Sequence, residues 1–191
     1  ALLLVFIVLN CAPQFQAAAR DELFTSSRNF YGVIRVLERD AEDPHQRAFN
    51  FYSGRIVHGL QFTDPAKKQE PTAYFGRSTG VAQAFDEVGD RDNLRVGIVG
   101  LVIGTLAAYA KEGQDFRFYE INEDVLDFAN KYFTYLDDCR GDYDVVLGDG
   151  RLSLEREPNQ DFDLLVLDAF SGDAVPTHLL TKEAFDIYRR H

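Results

Sequence analysis

From Leu94 onward, apolar runs alternate with segments whose apolar positions recur at helical spacing. The runs "LRVGIVG", "DFRFYEI", "YDVVLGD" and "FDLLVLDAF" read as buried strands. The segments "TLAAYAKEG", "EDVLDFANKYF", "GRLSLERE" and "TKEAFDIYRR" read as the helices that follow them. Strand–helix repeats of this kind predict an α/β fold with a parallel sheet covered on both faces. Upstream the period changes. "NFYGVIRVLE" and "RAFNFYSGRIVHGLQF" set aromatic or branched residues against polar ones, with turns at "YSG" and "DAEDPHQ", so residues 28–75 form a small N-terminal β-hairpin region. "DPAKKQEPT" is a polar loop and "YFGRSTGVAQAFDEV" a candidate helix opening the second region, 76–191. The sequence stops inside the last helix, so the sheet is expected to be truncated at its C-terminal side.

In open parallel sheets, ligands bind beyond the carboxyl ends of the strands, where the strand order reverses. Here those ends carry the Gly100–Thr105 turn, Glu120, Gly148-Asp149-Gly150 and Asp168. Glu120, past the glycine turn and at the end of the second strand, is placed to accept from both ribose hydroxyls of an adenosine. The alternative is a surface or capping acid beside Asn122 and Glu123. Asp149 can accept from an adenine amino group while Gly150 lets backbone approach the ring; it can equally cap "GRLSLERE", and both roles can hold together. Asp168 and Asp173, in "LDAFSGDAVP", form a carboxylate pair suited to holding an amine and taking its proton. The turn from Gly100 to Gly104 lacks the full glycine spacing of a pyrophosphate loop. Val102 sits at its middle, where a β-branched residue takes φ > 0 only at a cost.

Composition narrows the partners. A formal net charge of −11 leaves no basic surplus for phosphates, which argues against a nucleic-acid partner. Two cysteines in unrelated contexts, Cys11 and Cys139, exclude a disulfide framework or zinc site and fit a reducing compartment. His45, His58, His178 and His191 show no ligand spacing, so no metal is expected. Residues 1–20 stand apart as the apolar run "ALLLVFIVL" and a small-residue linker. The run is shorter than the roughly 20 residues that span a bilayer. We read it as the tail of a transmembrane helix, with a signal-peptide core or a buried strand as the alternatives.

The ordered set "VGIVGLVIGTLA", "FYEINEDVLDFA", "VVLGDGRLSL" and "LLVLDAFSGDAVPTHLLTKEAF" resembles the successive motifs of spermidine synthase-like proteins. These are polyamine aminopropyltransferases built on the Rossmann-like class I methyltransferase fold. "RIVHGLQF" and "PTAYFGRSTGVAQA" resemble their N-terminal hairpin and the tyrosine segment that enters the site. The apolar stub resembles the bacterial branch in which this domain follows a membrane segment, which implies the cytoplasmic face and a membrane tether; a homo-oligomer is also expected. The resemblance implies transfer of an aminopropyl group from decarboxylated S-adenosylmethionine to a diamine such as putrescine. It assigns Glu120 to the ribose, Asp149 to the adenine, and Asp168 to the amine as its base. Tyr74 matches the family's site tyrosine, and Gln61 its hairpin glutamine. Three departures stand out: Ile103 where the family has an aspartate for the aminopropyl amine, Val102 for a glycine, and Phe75-Gly76 for polar site-facing residues. They keep open an S-adenosylmethionine-dependent methyltransferase, or a non-catalytic nucleoside-binding domain regulating a membrane partner.

Overall fold

A computed structural model describes residues 21–89, 91–170 and 174–191. Its first half is an antiparallel four-stranded meander: β1 Glu22–Asn29, β2 Gly32–Arg39, β3 Ala48–Ser53 and β4 Ile56–Phe62, paired in that order. Its second half is a parallel sheet of β5 Arg95–Val99, β6 Asp115–Glu120, β7 Asp142–Leu147 and β8 Leu164–Leu167, in the order β7-β6-β5-β8. The helices are α1 Gly80–Val88, α2 Glu123–Tyr132, α3 Gly150–Arg156 and α4 Lys182–Tyr188. The α/β class with a parallel sheet behind an N-terminal β region is therefore what the sequence pattern predicted.

Alternation along β5 and β6 sends Val96, Ile98, Phe116 and Phe118 to one face, where the core includes Phe85, Val125 and Phe128 of α1 and α2. Val99 and Tyr119 face the opposite side, packed with Leu154, Ala184 and Tyr188 of α3 and α4. Ile34, Val36 and Phe51 of the meander belong to the first of these cores, so the two sheets share one interior.

The structure corrects the sequence reading in three places. "NFYGVIRVLE" contains a turn as well as a strand: Gly32 at φ 126° closes the hairpin between β1 and β2, and the β region begins at Glu22 rather than at 28. "TLAAYAKEG" is a short 3-10 run, Thr105–Tyr109. Thr105, Leu106, Ala107 and Ala110 are buried and Ala108 and Tyr109 half-buried, so the run plugs into the core instead of lying along the sheet as an amphipathic helix. The candidate helix at Tyr74 begins only at Gly80, after a 3-10 turn at Ala73–Phe75.

β5 lies between β6 and β8, so the strand order reverses at the ends of β5 and β8. There the backbones nearly touch. A Cβ on Gly100 would lie 2.4 Å from the Asp168 carbonyl oxygen, and Gly100 itself holds φ 105°. Both facts demand glycine. Gly100→Ala is expected to cost about 3 kcal/mol or more in denaturant unfolding, combining backbone strain with a main-chain clash.

Candidate functional site

A cleft of about 320 Å³ opens at this switch point, within the range of small-ligand sites. Gly100, Val102, Glu120, Asp149, Gly150 and Asp168 line its floor from the parallel sheet. The meander supplies the opposite wall with Ile34, Phe51, Ser53 and His58, and the β1–β2 turn brings Phe30 and Tyr31 to it. That hairpin is anchored beside the cleft: Asn29 Nδ2 donates to Asn122 Oδ1 at 2.6 Å and to Asp124 Oδ2 at 2.8 Å.

Glu120 is 8% exposed and holds the turn. Its Oε2 accepts from the Leu101 N–H at 3.0 Å and its Oε1 from the Asn122 N–H at 2.8 Å. Burial raises its pKa, opposed by these backbone donors. Each carboxylate oxygen keeps acceptor capacity beyond its one backbone bond, so positioning the turn does not preclude holding two ribose hydroxyls. Asp149 caps α3, Oδ1 accepting from the Leu152 N–H at 2.9 Å, while His178 Nε2 bonds its Oδ2 at 2.8 Å. The capping alternative is thus real for Asp149, and a ligand would share Oδ2 with His178. Gly150 admits no side chain either, since a Cβ there would lie 2.5 Å from Val99 Cγ1.

Asp168 is tied differently. Its Oδ2 accepts from the Tyr74 hydroxyl at 3.4 Å, and Tyr74 Oη in turn lies 3.3 Å from His58 Nδ1. Burial pushes the Asp168 carboxyl up to about 7, with the Tyr74 hydroxyl pulling the other way. A carboxylate with a pKa near neutrality is suited to taking up and releasing a proton. The Tyr74 hydroxyl is held protonated by its own burial first and then by the neighbouring Asp168 charge.

Three sequence assignments are not among the residues lining the cleft: Gln61, Gly104, and Tyr74, which reaches it only through its bonds to Asp168 and His58. Gln61 is 5% exposed with its amide fully engaged elsewhere. Its Nε2 donates to the Lys68 carbonyl at 2.9 Å and to Thr134 Oγ1 at 3.1 Å, and its Oε1 accepts from the Thr134 N–H at 2.9 Å. It fastens β4 to the segment after α2. Gly104 faces inward, where a Cβ would meet Leu136 Cγ at 2.8 Å, so it serves packing. Asp173 lies outside the described residues. His58 was passed over in the sequence for want of metal spacing, yet it lines the cleft and joins Tyr74. Its place in the mostly apolar strand "IVHGLQF", beside Gly59, was the available signal. Among the described residues no group of three or more His, Cys, Asp or Glu side chains could hold a metal ion.

No family profile matches the chain. By sequence it is 25% identical over 184 residues to a polyamine aminopropyltransferase of Vibrio vulnificus (strain CMCP6), covering 95% of this chain and 60% of that protein. By structure it superposes on the crystal structure of a probable spermidine synthase from Corynebacterium glutamicum ATCC 13032. The TM-score is 0.69 at 18% identity, over 87% of this chain and 59% of that one. The chain shares the fold of that probable spermidine synthase. It spans about three fifths of the length of each of these proteins.

The spermidine synthase-like fold gives the departures in the glycine turn a physical meaning. Ile103, the first of those departures, is wholly buried. It packs so tightly on β4 that a Cβ on Gly59 would lie 2.7 Å from it. The position therefore joins the sheets and offers nothing to a ligand. Val102 is left lining the cleft at φ 55°, a conformation that costs a β-branched residue about 1–3 kcal/mol.

The charge on Asp168 carries a stability cost with a definite sign. Its folded pKa lies above its ordinary value, so the cost is full above pH 7, shrinks as pH falls, and vanishes near pH 4. Asp168→Asn is therefore expected to raise unfolding free energy at pH 8 by on the order of 1–2 kcal/mol, allowing for solvent screening of a half-buried group. The gain should fade in melts run toward pH 4; a loss of stability at pH 8 would contradict a desolvated carboxylate.

Proposed function

We propose that this domain transfers an aminopropyl group from decarboxylated S-adenosylmethionine to a primary amine, a diamine such as putrescine. The observation that carries the reading is Asp168: a half-buried carboxyl with a pKa of about 7, gripped by Tyr74, at the switch point of a cleft that also holds Glu120 and Asp149. An alkylammonium has a pKa of about 10, so attack requires that a proton be taken from it. The amine nitrogen forms a bond to the methylene beside the sulfonium. The carbon–sulfur bond breaks, and methylthioadenosine leaves with the electron pair. Asp168 favours the cationic amine on approach and gives its proton a destination. Glu120 and Asp149 fix the nucleoside, so the reacting carbon is held in line with the amine. The short 3-10 run after β5 supports a nucleoside over a dinucleotide, because it lacks the helix N-terminus on which a pyrophosphate rests. We also place the domain at the cytoplasmic face, tethered by the apolar run of residues 1–9, which lies outside the described residues. Among the described residues no helix is long and apolar enough to cross a membrane.

A second reading rests on Val102, which narrows the cleft where backbone should meet the ligand. In that reading the domain binds a nucleoside without turning it over. Calorimetry on the full chain separates the possibilities. Tighter binding of decarboxylated S-adenosylmethionine than of S-adenosylmethionine is expected; the reverse order would indicate methyl transfer, and no binding would end both enzyme readings. With putrescine present, transfer should rise with pH through about 7 as Asp168 loses its proton. Asp168→Asn should abolish transfer while leaving methylthioadenosine affinity within about twofold, under 0.5 kcal/mol. Val102→Gly, which removes both the strain and the intruding branch, should tighten methylthioadenosine binding at least threefold, about 0.7 kcal/mol. Unchanged affinity in that variant would show that Val102 is no obstacle.

A further inference from the structure

His58 is 7% exposed, lines the cleft, and its Nε2 is buried with no hydrogen-bond partner among the described residues. An orphaned buried nitrogen costs on the order of 1–3 kcal/mol. Its ring packs edge-on to Tyr74 at 6.4 Å and beside Phe170 at 6.2 Å. Its other nitrogen is committed. When Asp168 is ionised, the Tyr74 proton is spent on Asp168 Oδ2, so the Tyr74 oxygen can only accept from His58. Nδ1 must then carry the hydrogen, and Nε2 is left as a bare lone pair.

We propose that His58 Nε2 takes the proton from the bound amine and that Tyr74 passes its equivalent to Asp168. The proposal rests on the amine-transfer reading above. The amine N–H bond breaks and Nε2–H forms. The Nδ1 hydrogen moves to the Tyr74 oxygen, and the Tyr74 hydroxyl hydrogen moves to Asp168 Oδ2. One proton has left the amine and one has reached Asp168; His58 and Tyr74 begin and end neutral. His58 has changed tautomer, and Asp168 later releases its proton to solvent. The neutrality matters because burial alone lowers the His58 pKa, and burial with the Asp168 charge keeps Tyr74 from ionising. Neither group is a resting place for charge. Asp168, with its pKa near 7, is.

The test is the tautomer of His58, read by ¹⁵N NMR on the full chain with methylthioadenosine at pH 8. We expect a protonated Nδ1 and a bare Nε2, a preference that Tyr74→Phe removes, and an Nε2 resonance that putrescine shifts. His58→Gln should lower kcat for aminopropyl transfer at least 100-fold, the scale of a lost proton-transfer group, with methylthioadenosine affinity unchanged. A merely structural role would move affinity and folding rather than tautomer and kcat. An Nε2-protonated ring at pH 8, or a His58→Gln enzyme within threefold of wild type, overturns the proposal. Should the wild type transfer no aminopropyl group, the functional reading fails on that assay. A bare Nε2 that putrescine leaves unmoved would then overturn the relay separately.

Discussion

The contact on which the rest depends is the approach of Gly100 to the carbonyl of Asp168. It brings β5 and β8 together at the one place in the sheet where the strand order reverses, with no room there even for a methyl group. The gap between chain directions beyond that contact is the cleft. The same closeness sets Asp168 at the cleft's edge with its backbone locked and its side chain held only by Tyr74 among the described residues. A looser turn at Gly100 would let the strand ends part, and Asp168 would lose the burial that raises its pKa.

The three strand-end acids look alike in sequence and differ in what they have left to give. Glu120 spends an acceptor on each oxygen to fix the Gly100–Leu101 turn and the start of α2. Asp149 spends one oxygen on capping α3 and the other on His178. Both are scaffold first, with remaining lone pairs for a ligand. Asp168 accepts from Tyr74 alone among the described residues. A carboxylate with one long hydrogen bond is poorly compensated for its burial, and that shortfall is the chemical asset. The acid that contributes least to the fold is the one best able to trade a proton.

How much of this could be read from residues follows from the range of the interactions. The parallel strands and the acids at their ends were legible, because buried strands announce themselves by local composition and the residue after each strand is fixed by chain order. β1 was not: "ELFTSSRN" is mostly exposed at the sheet edge and carries no apolar face, so its pairing with β2 is a tertiary fact. The missing helix after β5 failed for the opposite reason. "TLAAYA" has good helix formers, but the burial of Thr105, Leu106, Ala107 and Ala110 overrides propensity. Gln61 and His58 differ from the sequence reading because of a local irregularity in β4. His58 sits at the irregularity in the β3–β4 register, between Val57 paired with Tyr52 and Gly59 paired with Phe51, and lines the cleft, while Gln61, three residues on, bonds Thr134. Whether Asp149 would cap, bind or do both could not be separated beforehand, since both roles ask for a carboxylate at the same spot.

The altered glycine turn shows two demands meeting in adjacent residues. The meander has to be held against the parallel sheet, because its inner residues share that sheet's core. Ile103 does this by filling the space above Gly59, which is possible only because β4 has no side chain at that point. Fixing Ile103 inward dictates the backbone just before it. Gly104 follows at φ 77° and Val102 precedes at φ 55°, so the turn is left-handed on both sides of the buried residue. The strain at Val102 is therefore a consequence of fastening the two sheets through the turn. It is tolerated because burying an isoleucine contributes about 1.5–3 kcal/mol, comparable to the backbone cost. A charged residue at position 103 would face an apolar interior here, so this scaffold offers the cleft no charged side chain from that point of the glycine turn. On the proposed reading the contacts to an amine come instead from Asp168 at the end of β8, with Tyr74 and His58 in hydrogen-bonded sequence beside it.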